Sequence, residues 1–340
     1  ETCINCKNCR IVCPANCDAS TDSRYYKEEH RRFALEPMFI AMNNPGLMRK
    51  GAAMAAMGMP LFNNNRPLRK LIENLSKPAL KLDKDATLPK PSTNPFAVRF
   101  NKRLTGNARV AYFYGCADGF LENQTAEKIV RVFDMMGTSL DIPEQVCCGV
   151  PAESYGFTEY SRQAAGYNIE SLNRYDYIIT GCGTCVLMLK DYPHLFKSSE
   201  HLYKEAKKLA AKVHEVSEFL LKYGDNLNSA EKGKITYHDS CHLRCAGTES
   251  EPRQFIKELG LNYVEMDYAD RCCGFAGTHY FTDPHESSRI FDIKRKSLDE
   301  SGAEIVASCC PTCILQFAIQ QTNARSVHPV SLIEINGKRG

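Results

Sequence analysis

Five cysteines of this chain recur, in order, as five others, and that duplication constrains the fold more than any other feature. Cys116, Cys147 and Cys148 reappear at one constant shift as Cys241, Cys272 and Cys273, and Cys182 and Cys185 reappear at a slightly larger shift as Cys310 and Cys313. The first unit reads GC at Cys116, CCG from Cys147 and CGTC from Cys182; the second reads SC at Cys241, CCG from Cys272 and CPTC from Cys310. The flanks agree as well, VAYFYGC with ITYHDSC and YIITGCGTC with IVASCCPTC. Self-similarity at a fixed period marks a repeated structural unit.

Each unit carries the same succession of elements. An apolar strand (109–114; 234–238) delivers a cysteine at its carboxyl end. A helix follows, with Ile129, Val132, Phe133 and Met136, or Phe255, Ile256 and Leu259, at helical spacing. A strand leads to CCG, and then comes a long helix (157–174; 283–301). A last strand (177–180; 304–307) ends at CxxC, which opens another helix. Alternating strands and helices predict a parallel α/β sheet in each repeat. Ligands of such sheets gather at the carboxyl ends of strands, so the order brings five sulfurs to one edge per repeat.

The chain has 340 residues, 43% hydrophobic and 24% charged, with a net charge of +3. These values fit about two globular domains and give no sign of nucleic-acid binding. No apolar run reaches the length of a transmembrane helix. Its 17 cysteines, with no secretory signal, read as metal ligands or redox centres of a cytoplasmic protein. We divide it into a module over 1–22, a helical basic connector over 23–108, and two cysteine-rich α/β domains over 109–224 and 225–340.

The N-terminal run, Cys3, Cys6, Cys9, Cys13 and Pro14, has the C-x2-C-x2-C-x3-C-P spacing of bacterial ferredoxins, which bind [4Fe–4S] cubanes. Zinc is the competing occupant. In two-cluster ferredoxins the fourth cysteine serves the other cluster, and no second quartet accompanies this one. Because the chain starts without Met two residues before the motif, we read the module as incomplete, its missing ligands lying upstream. The alternative is one cubane closed by Cys13, with Cys17 the less favoured substitute.

In the connector, six of the ten Met residues fall between Met38 and Met59. Asn44 and Pro45 read as the N-cap and first position of a helix that Gly58 and Pro60 would stop. Residues 40–109 hold 13 Lys or Arg and 3 Asp or Glu. Such a segment suits an anionic membrane surface or an acidic partner, against the plainer role of a core-facing helix. The stretch PKPSTNP reads as an extended linker.

Five thiols per repeat exceed what tetrahedral zinc uses, and an adjacent Cys-Cys pair suits bridging between two irons. Structural zinc in one repeat and a strained vicinal disulfide are the alternatives. The glycine after each pair, Gly149 or Gly274, would permit close backbone approach to the site. Cys245 and Cys309 lack counterparts and read as spare buried thiols. His238 and His242 flank Cys241 and read as capping or packing residues, or as groups tuning that site by hydrogen bonds. No dinucleotide or nucleotide motif is present.

The doubled C–CCG–CxxC pattern resembles the cysteine-rich "CCG" domain family of iron–sulfur oxidoreductases. The family includes the B and D components of heterodisulfide reductases, the iron–sulfur components of glycolate and lactate oxidases, and the cysteine-rich component of anaerobic glycerol-3-phosphate dehydrogenase. CINCKNCRIVCP, MMGTSL, CCGVP, YHDSCH and CCGFAGTHYF most resemble the last, and the similarity spans nearly the whole chain. Members normally carry two ferredoxin motifs, whereas one is present here. The resemblance implies a noncubane [4Fe–4S] cluster on Cys116, Cys147, Cys148, Cys182 and Cys185, and another on Cys241, Cys272, Cys273, Cys310 and Cys313. It further implies an electron-transfer subunit of an anaerobic respiratory hetero-oligomer, peripheral on the inner face of the cytoplasmic membrane. Electrons would pass from a flavoprotein dehydrogenase to quinone or a membrane partner. The alternative is a catalytic subunit that cleaves a disulfide at a noncubane cluster, and the weakest reading is a zinc scaffold without redox chemistry.

Overall fold

The structure is a computed structural model. It describes residues 3, 5–15, 17–31, 33–65, 67, 70, 74, 77, 83, 92–100, 103–121, 123–275 and 279–335. Two all-parallel sheets form its frame. The first has the order β2-β1-β3-β4, with β1 Val110–Tyr112, β2 Leu140–Asp141, β3 Tyr177–Thr180 and β4 Val213–Glu215. The second has the order β5-β6-β7, with β5 Ile235–Tyr237, β6 Ile305–Ala307 and β7 Arg325–Val327. The central strands are wholly apolar or threonine-bearing and buried along their length, as sheets covered by helices on both faces require.

The repeat is visible in the hydrogen bonds. Phe113 N donates to Ile179 O at 2.9 Å in the first sheet, and His238 N donates to Ala307 O at 2.8 Å in the second. Tyr177 N and Ile305 N likewise donate to Arg109 O and Lys234 O, each at 3.1 Å. The long helices run Thr158–Leu172 and Pro284–Ser301, and the helices opened by CxxC run Gly183–Asp191 and Pro311–Ile319. Two features depart from the expected scheme. Each sheet has an additional edge strand after the CxxC helix, β4 or β7. In the second sheet the strand leading to CCG shrinks to a single parallel bridge between Ile235 and Tyr263.

One hydrophobic core crosses the boundary between the repeats. Phe133, Val216, Phe219 and Leu220 from the first share it with Tyr237, Phe255, Ile256 and Val330 from the second. At its centre the ends of β4 and β7 meet. Glu215 is the N-cap of the helix Val216–Tyr223 and accepts from Ser217 N at 2.6 Å. His328 caps the short turn Pro329–Leu332 in the same manner, its Nδ1 accepting from Val330 N at 3.1 Å. That bond puts the ring proton on Nε2, which lies 3.1 Å from Glu215 Oε1; both side chains are fully buried. The two repeats thus join through equivalent capping residues.

The N-terminal segment docks on the first repeat. Helix Ala19–Glu29 places Lys27 Nζ 3.0 Å from Ser154 O and Arg24 3.3 Å from Glu153. A Cβ on Gly156 would lie 2.4 Å from the Lys27 carbonyl carbon, so this approach requires glycine. Phe39 packs on Phe157 with centroids 4.9 Å apart.

The connector helix starts where expected, Leu47 N donating to Asn44 Oδ1 at 2.9 Å. It does not stop at Gly58 and Pro60, but runs from Pro45 to Asn64. A proline inside a helix removes one hydrogen bond, and the Ala- and Met-rich turns before it are strong helix formers. Twenty residues give about 30 Å at 1.5 Å per residue, yet no described helix is long and apolar enough to cross a membrane. Arg49 is not free to face a surface, because it pairs with Glu144 at 3.0 Å. Within the expected linker, residues 89–91 lie outside the described set. Beyond them the chain is pinned, Phe96 N donating to Asn123 Oδ1 at 3.1 Å and Phe96 packing against Tyr114.

Candidate metal centre

All ten cysteines of the duplicated pattern converge. In the first repeat Cys116 stands in the short helix Gly115–Phe120 just beyond β1, and Cys147 and Cys148 in the loop beyond β2. Cys182 is the N-cap of the CxxC helix and Cys185 lies in its first turn. Cys310 and Cys313 take the same places in the second repeat. Helix N-termini favour negative charge, so this placement suits thiolates.

Mutual influence on their ionisation links the thiols into one series. It runs from Cys116 to Cys147, Cys148, Cys185 and Cys182, crosses the repeat boundary to Cys310, and continues through Cys313, Cys273 and Cys272 to Cys241. The Cys273 and Cys313 sulfurs are 3.5 Å apart. A further step joins Cys241 to Cys6 of the N-terminal motif. Cys3 lines the same cavity, of about 900 Å³, while Cys9 Sγ lies 3.9 Å from Asp18 Oδ1. The N-terminal cysteines are half-buried except Cys17, which is exposed.

Crowding splits the ionisation of these groups. The Cys147 and Cys185 thiols hold Cys148 down at about 5, Cys182 and Cys313 hold Cys310 well below the usual thiol range, and Cys241 and Cys273 do the same for Cys272. Their neighbours and burial push Cys116, Cys185, Cys241 and Cys313 up. Protein groups alone therefore favour the thiolate at Cys148, Cys272 and Cys310 and the protonated thiol at the other seven. A cationic core would draw off those remaining protons, since metal ligation requires thiolate. An all-sulfur donor set is chemistry for zinc or iron–sulfur cores, and five donors in each half pass what tetrahedral zinc takes. The residues fit an iron–sulfur occupant.

Positioning groups surround the thiols. Buried Gln145 accepts from Tyr114 N at 2.9 Å and donates to Tyr112 O at 3.0 Å, fastening the Cys116 loop to the CCG loop. Asn168 donates to Cys147 O at 3.2 Å, and Tyr192 donates to Cys148 O at 3.0 Å. Gly183 N donates to Cys309 O across the boundary at 2.6 Å, and a Cβ there would lie 2.6 Å from Ser240 Oγ. No motif in the sequence marks Gln145, Asn168 or Tyr192, because their partners are backbone atoms of distant loops.

The glycines after each pair have a different reason from the one expected. Gly149 and Gly274 adopt φ of +102° and +84°, and a Cβ on Gly274 would lie 2.4 Å from Ser287 O. They make room for the following helix, not for the site. The glycine that does border the sulfurs is Gly115, whose Cβ would lie 2.8 Å from Cys185 Sγ. None of the 17 cysteines is in a disulfide. Cys309 is buried, whereas Cys245 is only half-buried, because its helix ends at the surface. His242 is buried with Nδ1 3.6 Å from Cys241 Sγ. His238 is buried 3.2 Å from Ala269 O, and burial together with nearby Lys294 lowers it to about 3, so its ring is neutral.

A duplicated parallel α/β frame around two abutting five-thiol sets defines a class, the cysteine-rich iron–sulfur proteins. The Cysteine-rich domain (CCG) family matches residues 110–190 and 235–318, one match per repeat. The chain is 34% identical over 202 residues to lactate utilization protein A of Lysinibacillus sphaericus, covering 58% of this chain and 88% of that protein. Against the Oceanobacillus iheyensis protein of the same name it is 29% identical over 233 residues, 67% of this chain and 96% of the relative. Against that of Bacillus subtilis it is 29% identical over 214 residues, 62% and 90% respectively. The chain belongs to the CCG-domain family of iron–sulfur proteins that contains lactate utilization protein A.

Proposed function

We propose that this chain is an iron–sulfur electron-transfer subunit of an oxidoreductase complex. Its partner would be a flavoprotein that oxidises a small hydroxy acid, a substrate class suggested by the lactate of its relatives' name, and its acceptor quinone or a membrane partner. The ligand sets are Cys116, Cys147, Cys148, Cys182 and Cys185 in the first repeat and Cys241, Cys272, Cys273, Cys310 and Cys313 in the second. Cys3, Cys6, Cys9 and Cys13 form the cubane module. The observation that carries this reading is the unbroken series of thiols from Cys6 through both repeats. Iron–sulfur cores bound there would supply one-electron storage.

The protein supplies the rest. Helix N-termini at Cys182 and Cys310 stabilise anionic ligands. Thr312 Oγ1, 3.1 Å from Cys310 Sγ, and Thr184 Oγ1, 3.7 Å from the same sulfur, offer hydroxyls at the boundary between the sets. Burial of seven of the ten thiols excludes water, while the cavity leaves the mouth of the site accessible. The basic connector serves as the docking element through its exposed residues, among them Lys50, Met54 and Met57.

Iron analysis of the full chain purified anaerobically tests this. We expect about four iron atoms per repeat, with Cys273→Ala losing one core's complement and Cys148→Ala the other's, each without unfolding the partner repeat. Zinc alone in the purified protein, or iron unchanged in both variants, overturns it.

The cavity favours a second reading, disulfide cleavage, because it reaches both cysteine sets and is walled by Phe275 and Phe281. A paramagnetic signal that arises only with a thiol or disulfide substrate would establish that activity, and its absence would leave the relay.

A further inference from the structure

His238 stands beside two of the sulfurs and has a ring nitrogen without a hydrogen-bond partner among the described residues. It follows β5 directly, fully buried, with its ring edge-on to Phe317 at 5.4 Å. Its Nδ1 lies 3.2 Å from Ala269 O. A carbonyl only accepts, so Nδ1 carries the proton and a neutral ring leaves a lone pair on Nε2. Nε2 has no hydrogen-bond partner among the described residues. A ring nitrogen of His238, Cys273 Sγ and Cys313 Sγ all lie within 4.8 Å of one another, and with Nδ1 held by Ala269 O the nitrogen left to ligate is Nε2.

A buried lone pair without a donor is costly, and it would be worse placed still beside sulfurs ionised to ligate a metal. A metal ion held by those thiolates removes both penalties. The Nδ1–H bond to a backbone carbonyl is also the arrangement that fixes tautomer and orientation in metal-bound histidines. The first repeat offers no such group, because Phe113 occupies the equivalent position, as the matched backbone bonds to Ile179 and Ala307 show.

We infer that His238 Nε2 is a ligand of the metal core bound by Cys273 and Cys313, giving the second repeat a nitrogen donor that the first lacks. The inference rests on the iron–sulfur reading of the second repeat. Replacing thiolate by imidazole raises the potential of an iron–sulfur core, so the two cores would differ in potential as well as in ligation.

The test is pulsed paramagnetic resonance on the reduced full chain, prepared with histidine in natural abundance and labelled with 15N. A strongly coupled nitrogen that responds to the label, disappears in His238→Phe and persists in His242→Phe is the expected result. A second core with its full iron but no strongly coupled nitrogen overturns the inference, as does a coupling that survives in His238→Phe. The labelled wild-type protein gives the first of these answers even where His238→Phe fails to fold. Iron content unchanged by Cys273→Ala would instead remove the reading beneath it.

Discussion

The two repeats share a backbone and differ in what stands behind their sulfurs. Behind the CCG turn of the first, Asn168 bonds to Val146 and Cys147 carbonyls. At the matching place on the second repeat's long helix, Lys294 donates to the Ala269 carbonyl at 3.0 Å and to that of Tyr268. The match follows from the preceding serines, since Ser161 bonds to Gly149 O and Ser287 to Gly274 O, each at 2.8 Å. Phe113 likewise gives way to His238, and Tyr114 to Asp239, which is clamped by Arg253 at 2.5 and 2.8 Å. Duplication has kept the geometry and changed the charge. A buried cation beside the second set favours an added electron there over the first set, where neutral Asn168 holds the matching place.

The largest effect we expect in breaking this comparison is at the capping residues that join the repeats. Glu215→Ala removes an N-cap and leaves His328 buried without its partner, which costs about 3–5 kcal/mol. Chemical denaturation should show both repeats weakened together, and loss of only the first repeat's signal would refute a shared interface. Next is the cation. Lys294→Asn makes the second repeat resemble the first and should lower the potential of its core by roughly 60 mV, about 1.4 kcal/mol for one electron. Redox titration followed by visible absorption reads the shift, and the reciprocal Asn168→Lys should raise the first core. The smallest effect sharpens the match between the serines. Ser161→Ala should cost about 1 kcal/mol. Ser287→Ala should cost more, because it also deprives Gln316 Nε2 of its acceptor at 3.1 Å.

Much of this frame was legible in the sequence because periodicity reports it directly. The spacing of ten cysteines revealed the two units, and apolar runs such as Tyr177–Thr180 revealed the strands that present them. The edge strands β4 and β7 escaped notice because Val213–Glu215 and Arg325–Val327 mix charged and apolar residues over three positions. Gly58 and Pro60 misled, since local breaker signals compete with the helix-forming turns before them. The meeting of Cys182 with Cys310 could not be read either, because spacing within a unit carries no information about how two units pack. Asn168 and Lys294 look alike to a pattern of helical periodicity, and only their carbonyl partners reveal a difference of charge.

The hydrogen bond from Gly183 to the carbonyl of Cys309 has a consequence for how such molecules diverge. It places the backbone of one unit as a wall of the other's site, where no side chain can enter without collision. Once fused in this way, the halves lost the freedom to be shuffled separately. A unit borrowed from a relative must bring its own complementary glycine and turn, so recombination between lineages should preserve the pair as a single heritable block.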